Sequence, residues 1–426
     1  MATVLLFGVF AVLLVFGVPV AFGLIAASLA TVLYLGLPSI VVVQQTAAAA
    51  GSTALIAIPL FVFAGELMMR GGISDRLIAF AASLVGRTRG GLAQVNVLAS
   101  LFFGGVSGSA IADVSAIGGT MIPQMVNRGF DRDFAVNVSI SAALVALLVP
   151  PSHNLILYSA SAGGSISIAD LFAAGVIPAV LLTVVLMVTT RIIAGRRGYG
   201  REGFPGFGEL LRRLVAALPG LVLVALIFVG IRAGVFTAIE SAAIAVGYAA
   251  LVTGLVYRRL DWPTFRAACT GAARTAGLIL FVIGAAASFG WLLAYLQVPA
   301  AAVEVLTSFA DDRTSVLMLM IVLLLLLGTF MDLAPLIIIC TPIFLPVARA
   351  FGIDPVHFGV ILILNAGLGL ITPPVGSVLF VGSAIGRIEV TEALRTIWPF
   401  YLAGLVVLLL VVFVPSLSLW LPAALR

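Results

Sequence analysis

Two short polar stretches interrupt an otherwise apolar chain, and their residue types suit a hard cation or a carboxylate. The first is Gly104-Gly105-Val106-Ser107-Gly108-Ser109-Ala110-Ile111-Ala112-Asp113. The second, half a chain later, is Gly328-Thr329-Phe330-Met331-Asp332-Leu333-Ala334-Pro335. Glycine permits a turn, and carbonyl and hydroxyl oxygens bind hard cations. A proline pair follows each stretch, in Pro150-Pro151-Ser152-His153-Asn154 and in Thr372-Pro373-Pro374-Val375-Gly376-Ser377. Consecutive prolines remove two amide donors and free the carbonyls upstream. Ser152 and Asn154 add side-chain oxygens to the first break, and Asn365 and Gly369 lie one to two helical turns before the second. His153 titrates near neutral pH in its free form, but a lone histidine here also fits a hydrogen-bonded structural role.

Composition says where these groups sit. The chain has 426 residues, of which 62% are hydrophobic and only 9% charged; its mean hydropathy is +1.27. Soluble domains carry about 25% charged residues, so this is a polytopic membrane protein with no soluble domain. Apolar runs of about 20 residues predict roughly ten to twelve crossings plus shorter pieces. Met1 to Val20 has no basic leader and reads as a first membrane helix. The net charge of +5 comes from arginines alone and does not indicate nucleic acid. Arg191, Arg196, Arg197, Arg201, Arg212 and Arg213 cluster mid-chain, Arg258, Arg259 and Arg266 form a second group, and Arg87 and Arg89 a third. Short arginine-rich loops stay in the cytoplasm, which places the central loop inside and the N-terminus outside. Cys269 and Cys340 sit in apolar surroundings and imply neither disulfide nor metal, and two histidines rule out a zinc protease motif.

Carboxylates at membrane depth cost roughly 2.5–3.5 kcal/mol each and need a reason. Asp113 and Asp332 each follow a glycine-rich turn, where cation ligation and helix capping both fit. Glu66 lies one turn from Arg70, at ion-pair spacing, and Glu240 opens the small-residue run Ser241-Ala242-Ala243 as a helix-start residue.

The elements that hold these groups repeat. Leu60-Phe61-Val62-Phe63-Ala64-Gly65 matches Leu280-Phe281-Val282-Ile283-Gly284-Ala285 at a shift of 220, as Val15-Phe16 matches Val235-Phe236. Pro123 matches Pro346, and Pro150-Pro151 matches Pro373-Pro374, at a shift of 223. Residues 1–190 and 220–426 therefore form two repeats, each with plain helices, a polar hairpin and a broken helix. The hairpins run over about 92–125 and 316–347, and the broken helices over about 139–159 and 360–384. Ser107, Gly108 and Ser109 form the first turn, and Gly328 and Thr329 the second. A glycine-serine packing face and a proline-kinked spanning helix are the respective alternatives, because small residues also let helices approach closely. Pro335, Pro342 and Pro346 limit a continuous second helix. The glycine-rich connector 191–219, including Pro205, ends in a possible amphipathic surface helix over Gly208 to Ala217. Paired interrupted segments in two halves point to a secondary transporter's binding site, where broken helix ends hold ions by their partial charges.

Gly105 to Gly118, Pro59 to Met68, Pro150-Pro151-Ser152, Gly328 to Asp332 and Ile371 to Gly376 resemble, in order, the signatures of the large membrane subunit of tripartite ATP-independent periplasmic (TRAP) transporters. The resemblance spans about residues 1 to 420. It implies an all-α, multi-pass inner-membrane protein with an inverted-repeat elevator fold, two re-entrant helical hairpins and two broken helices. It implies Na+ as the coupling ion, a small organic-acid substrate, a periplasmic substrate-binding protein and a small four-helix membrane subunit, here expected as a separate chain. Carried over by position, Ser107, Gly108, Ser109, Pro150, Ser152 and Asn154 make one sodium site. Gly328, Thr329, Asp332, Thr372, Pro374 and Gly376 make the other. His153-Asn154, after the double proline, is a departure that leaves the exact ligands there open. A self-sufficient ion-coupled carboxylate carrier or antiporter shares these sites and is the alternative. An intramembrane enzyme is not supported: Ser152 and His153 are adjacent, and adjacent residues do not face each other on a helix.

Overall fold

The computed structural model describes residues 1–426 except 52, 201, 202, 204, 205, 310, 311 and 426. Arg201 and Pro205 of the connector thus lie outside the described residues. All regular structure among the described residues is helical.

The chain opens with α1 (Ala2–Val15), α2 (Val20–Tyr34) and α3 (Ile40–Ala50). The first helix stops at Val15, short of Val20, because Gly17 turns the chain at φ 76°. Next come α4 (Ala57–Arg70) and α5 (Ile73–Val85), bent by 68° at Gly71-Gly72. The first polar stretch joins α6 (Gly91–Ser107) to α7 (Ala110–Asp113), which runs through a π turn at Val114–Gly118 into α8 (Gly119–Asn127). Because α8 packs back on α6, the unit is a helical hairpin. The first broken helix is α9 (Arg132–Ala142), a 3-10 turn over Ala143–Leu147, and α10 (His153–Ser161).

The long helices α11 (Ile168–Arg196) and α12 (Phe207–Arg232) bracket the connector, followed by α13 (Ala238–Leu251) and α14 (Trp262–Tyr295). Gly208 to Ala217 does not form a separate surface helix. It is the start of α12, which continues without a break through Pro219 and Gly220 to Arg232. After α15 (Val298–Phe309), the second hairpin pairs α16 (Arg313–Gly328) with α17 (Leu333–Ala350). Here the proline expectation fails, since α17 continues through Pro342 and Pro346. Each proline removes one helical bond, and the packing of α17 against α10, α14, α15 and α18 holds the helix through both gaps. Pro335 lies in the first turn, where no amide bond is lost. The second broken helix is α18 (Pro355–Leu370) and α19 (Ser377–Gly386); α20 (Val390–Thr396), α21 (Trp398–Phe413) and α22 (Ser416–Ala424) follow.

Among the described residues five helices are long and apolar enough to cross a bilayer, or up to seven if each bent pair is one span. That is fewer than the roughly ten to twelve that apolar runs of about 20 residues suggest. Glycine and proline cut the remaining runs into apolar helices of 10–17 residues.

The two halves share local geometry at a fixed spacing. Gly129 (φ 83°) and Gly352 (φ 66°) both end a helix in the left-handed region. Phe130 N–H bonds the Met125 carbonyl at 3.0 Å, and Ile353 N–H bonds that of Ala348 at 2.8 Å. Asp131 and Asp354 then stand at the N-caps of α9 and α18. The peptide bonds Pro150-Pro151 and Pro373-Pro374 are both cis. All of these pairs are 223 positions apart.

Packing exchanges parts between the halves: α17 lies against α10, and α19 against α9. Glycines make the second contact close. A Cβ on Gly382 would stand 2.2 Å from Ile140 Cγ2, and one on Gly386 2.2 Å from Val136 Cγ2. Tyr158 of α10 likewise covers Gly359 of α18, and its hydroxyl donates to the Pro355 carbonyl at 2.7 Å. Overpacking of this kind costs about 1–3 kcal/mol. Gly382→Val is expected to lower the unfolding midpoint in detergent, whereas Gly247→Ala, inside α13 with open space around its α-carbon, does not lower it; a thermal-shift assay reads both.

Candidate functional site

Each polar turn meets the break that follows it in the chain. In the first junction, α6 ends at Gly108, whose φ of 60° favours glycine and whose N–H bonds the Gly104 carbonyl at 2.9 Å. The hairpin backbone then presses onto the break. A Cβ on Gly104 would lie 2.7 Å from Ala146 Cα, and one on Gly105 2.9 Å from the Pro150 carbonyl oxygen. At Gly108 it would meet the Pro151 carbonyl oxygen at 3.3 Å. The glycines thus bring the turn against the Pro150 and Pro151 carbonyls of the break. Asn154 fastens the contact, its Nδ2 donating to the Gly108 carbonyl at 2.8 Å.

The second junction has the same plan with different fastenings. Gly328 and Gly369 touch backbone to backbone: a Cβ on Gly369 would sit 2.6 Å from the Gly328 carbonyl carbon. Val375 N–H donates to the Thr329 carbonyl at 3.0 Å. Asp332 is the N-cap of α17, accepting from Leu333 N–H at 3.1 Å and from the Ser377 hydroxyl at 3.1 Å. Gly376, at φ 32°, lies so close that a Cβ would stand 3.0 Å from the Thr372 carbonyl oxygen and 3.3 Å from that of Leu370.

The hydroxyls at these junctions are already engaged. Ser109 Oγ accepts from Ala112 N–H at 3.4 Å, and Ser107 Oγ accepts from Ser109 N–H at 3.5 Å. Ser152 donates to the Leu147 carbonyl, Thr372 to that of Leu368 and Thr329 to that of Leu326, each at 2.7 Å. Donation uses the proton and leaves oxygen lone pairs free for a cation. Asp113 and Asp332 take different roles. Asp332 caps a helix, while Asp113 is buried behind the turn, its Oδ2 accepting from Ser100 at 2.6 Å. Its Oδ1 has no partner among the described residues. Glu66 pairs with Arg70 at 2.8 Å, and Glu240 closes a capping box with Thr237.

One cavity of about 480 Å³ lies between the two junctions. Ser107, Ser109 and Asn154 reach it from the first, and Asp332 and Leu333 from the second. Its outer wall is α4 and α14, through Glu66 and Thr275 among others. Of the twelve candidate residues, Ser107, Ser109, Asn154 and Asp332 line the cavity and the other eight do not. Ser152 is fully buried behind the break, and Pro374 lies on its exposed side. Ser377 is the polar group that the sequence reading left out of the second set. Its place directly after the break, at the first turn of α19, was the available signal.

A hairpin turn packed on a broken helix, twice over around one cavity, defines a transport protein rather than a catalytic one. The family model described as "Tripartite ATP-independent periplasmic transporter, DctM component" matches residues 7–417, and the chain belongs to that family. It is a TRAP transporter large permease component and not an enzyme. It is 34% identical to the 2,3-diketo-L-gulonate TRAP transporter large permease protein YiaN of Escherichia coli, over 94% of both chains. It is 36% identical to the sialic acid TRAP transporter large permease protein SiaM of Vibrio cholerae, over 96% of both. The fold resembles the YdaH transporter of Alcanivorax borkumensis, with TM-score 0.60 and 16% identity over 87% of this chain and 86% of that one.

If the glycine contact sets the second junction, Gly369→Ala pushes hairpin and break apart. Overpacking against backbone costs about 1–3 kcal/mol. A lower unfolding midpoint is expected, with faster protease cleavage between Thr329 and Leu333. Unchanged cleavage at that turn contradicts the contact's role.

Proposed function

We propose that this permease imports small carboxylates by sodium symport across the bacterial inner membrane, with a small membrane subunit and a periplasmic binding protein delivering the substrate. The observation that carries the reading is the duplicated junction: two glycine turns, each on a diproline break, 223 positions apart and flanking one cavity. Re-entrant hairpins beside discontinuous helices bind ions at the bilayer midplane in secondary transporters. In this reading residues 1–190 and 220–426 are inverted repeats. The hairpins and broken helices move as an elevator against a scaffold that includes α4 and α14.

Ser107, Gly108, Ser109, Pro150, Ser152 and Asn154 surround the first sodium ion, and Gly328, Thr329, Asp332, Thr372, Pro374 and Gly376 the second. Of these, Ser107, Ser109, Asn154 and Asp332 border the cavity, and the others ligate from behind its wall, through carbonyls and the hydroxyls of Thr329 and Thr372. The carboxylate lies between the two ions. The start of α17 borders the cavity at Leu333 and Ala334; Leu333 N–H is taken by Asp332, so the amide offered to the substrate is that of Ala334. No arginine or lysine lines the cavity, so bound cations and the Ala334 amide supply the attraction. This couples the substrate to sodium electrostatically.

The test is uptake of a labelled organic acid into proteoliposomes holding both membrane subunits. Uptake is expected only with an inward sodium gradient and the binding protein outside. Uptake that ignores sodium defeats the proposal, and undiminished uptake without the binding protein favours a self-sufficient carrier. Ser107→Ala and Thr372→Ala are each expected to raise the half-saturating sodium concentration about tenfold, the equivalent of one lost ligand at about 1.4 kcal/mol. Unchanged sodium dependence in both removes these hydroxyls from the sites.

A further inference from the structure

A second cavity, of about 540 Å³, opens beside the first and is lined by Arg70, Arg266 and Arg274 with Trp262. It follows α14. Thr270, Gly271 and Arg274 border it, whereas Thr275, Leu278 and Ile279 on the next turn border the central cavity. The partition between the two is Glu66. Glu66 lines the central cavity, and Arg70, which holds its carboxylate at 2.8 Å, lines the other. Glu66 lies flat on α14 where there is no side chain: a Cβ on Gly271 would meet both Glu66 carboxylate oxygens, at 2.8 and 3.0 Å.

Charge is unevenly spread across this partition. Among the described residues the central cavity has no arginine on its wall, where His153 is the one basic group, and its neighbour has three arginines. Arg266 and Arg274 are exposed, and neither has an acidic partner among the described residues. Arg274 stands about 12 Å deeper along α14 than Arg266, at 1.5 Å per residue. An unpaired arginine at such depth faces water or an anion. The arginines at the start of α14, Arg258, Arg259 and Arg266, put this end of the helix in the cytoplasm.

We propose that this arginine-lined vestibule is a second anion station, which receives the carboxylate as it leaves the central cavity for the cytoplasm, with the Glu66–Arg70 pair as the clasp between them. It rests on the carboxylate-import reading. Glu66 repels a carboxylate while the clasp is closed. When the carboxylate arrives, Arg70 exchanges Glu66 for it, and Arg266 and Arg274 draw it outward. A field of three cations in a cleft raises the local anion concentration by tenfold or more.

Trp262 reports on the vestibule directly. The complex carrying Trp291→Phe, Trp398→Phe and Trp420→Phe keeps Trp262 as this subunit's one tryptophan, and the small subunit's tryptophans are replaced likewise. Its fluorescence is quenched with iodide and, separately, with neutral acrylamide. Arg266→Gln with Arg274→Gln is expected to reduce iodide quenching about threefold and to leave acrylamide quenching unchanged. Glu66→Gln, which frees Arg70, is expected to increase iodide quenching. About 1 M sodium chloride, with a screening length near 3 Å, removes the difference. Iodide quenching that is unchanged by the double substitution, or that falls only in step with acrylamide, overturns the anion station. The second arm is carboxylate uptake by the same complex in proteoliposomes. The double variant is expected to show a maximal rate about fivefold lower at an unchanged half-saturating sodium concentration. If the wild-type complex transports no carboxylate, the import reading fails while the quenching result stands by itself. If the wild type transports and the double variant keeps its full rate, the vestibule has no part in release.

Discussion

Backbone polar groups inside a bilayer have no water to bond, so any chain that leaves a helix there must be satisfied by protein or by a bound ligand. The structure depends on how this constraint is met at two places. At each, a turn exposes amides and carbonyls, and a cis diproline break exposes more. They are brought within contact by removing side chains. Gly104 and Gly105 lie on Ala146 and Pro150, and Gly328 lies on Gly369. Hydrogen bonds then lock each pair, from Asn154 to the Gly108 carbonyl in the first, and from Val375 to the Thr329 carbonyl and Ser377 to Asp332 in the second. What remains is a set of oxygens close together with few donors, which is an environment suited to a cation.

The exchange of parts between halves explains why the two junctions share one cavity. Because α17 packs on α10 and α19 on α9, neither hairpin rests only on its own half. The junctions are built as one body, and α4 and α14 face that body across the cavity. In the proposed reading a carboxylate there sits between two cation sites and the start of α17. Among the described residues no arginine or lysine lines the cavity to meet its charge. The arginines lie on the other side of Glu66, Arg266 and Arg274 on α14 and Arg70 on α4, so the charge changes sign across the Glu66–Arg70 pair.

Much of this was legible in the sequence because glycine, proline and small polar residues have no ordinary reason to cluster in an apolar chain. The turns at Ser107-Gly108-Ser109 and Gly328-Thr329, both diproline breaks and the Glu66–Arg70 pair all stand where residue types and spacing place them. Helix lengths were less legible. Hydropathy measures how apolar a run is, not where it bends, so α1 ends early at Gly17 and the bend at Gly71-Gly72 divides one run into α4 and α5. The prolines of α17 misled for the opposite reason, since tertiary packing overrides a local breaker. Capping roles also needed coordinates: Asp332 and Asp113 follow similar turns, yet one caps a helix and the other is buried against Ser100. Ser377 was passed over because its partner, Asp332, is 45 positions away.

The central claim is that both junctions are sodium sites. Hydrogen–deuterium exchange of the detergent-solubilised complex, in sodium chloride and then in choline chloride at equal ionic strength, tests it most directly. Sodium is expected to slow exchange in peptides covering Ser107 to Asp113 and Thr329 to Leu333 together, with α2 unaffected. Exchange at both turns that is indifferent to sodium contradicts the account.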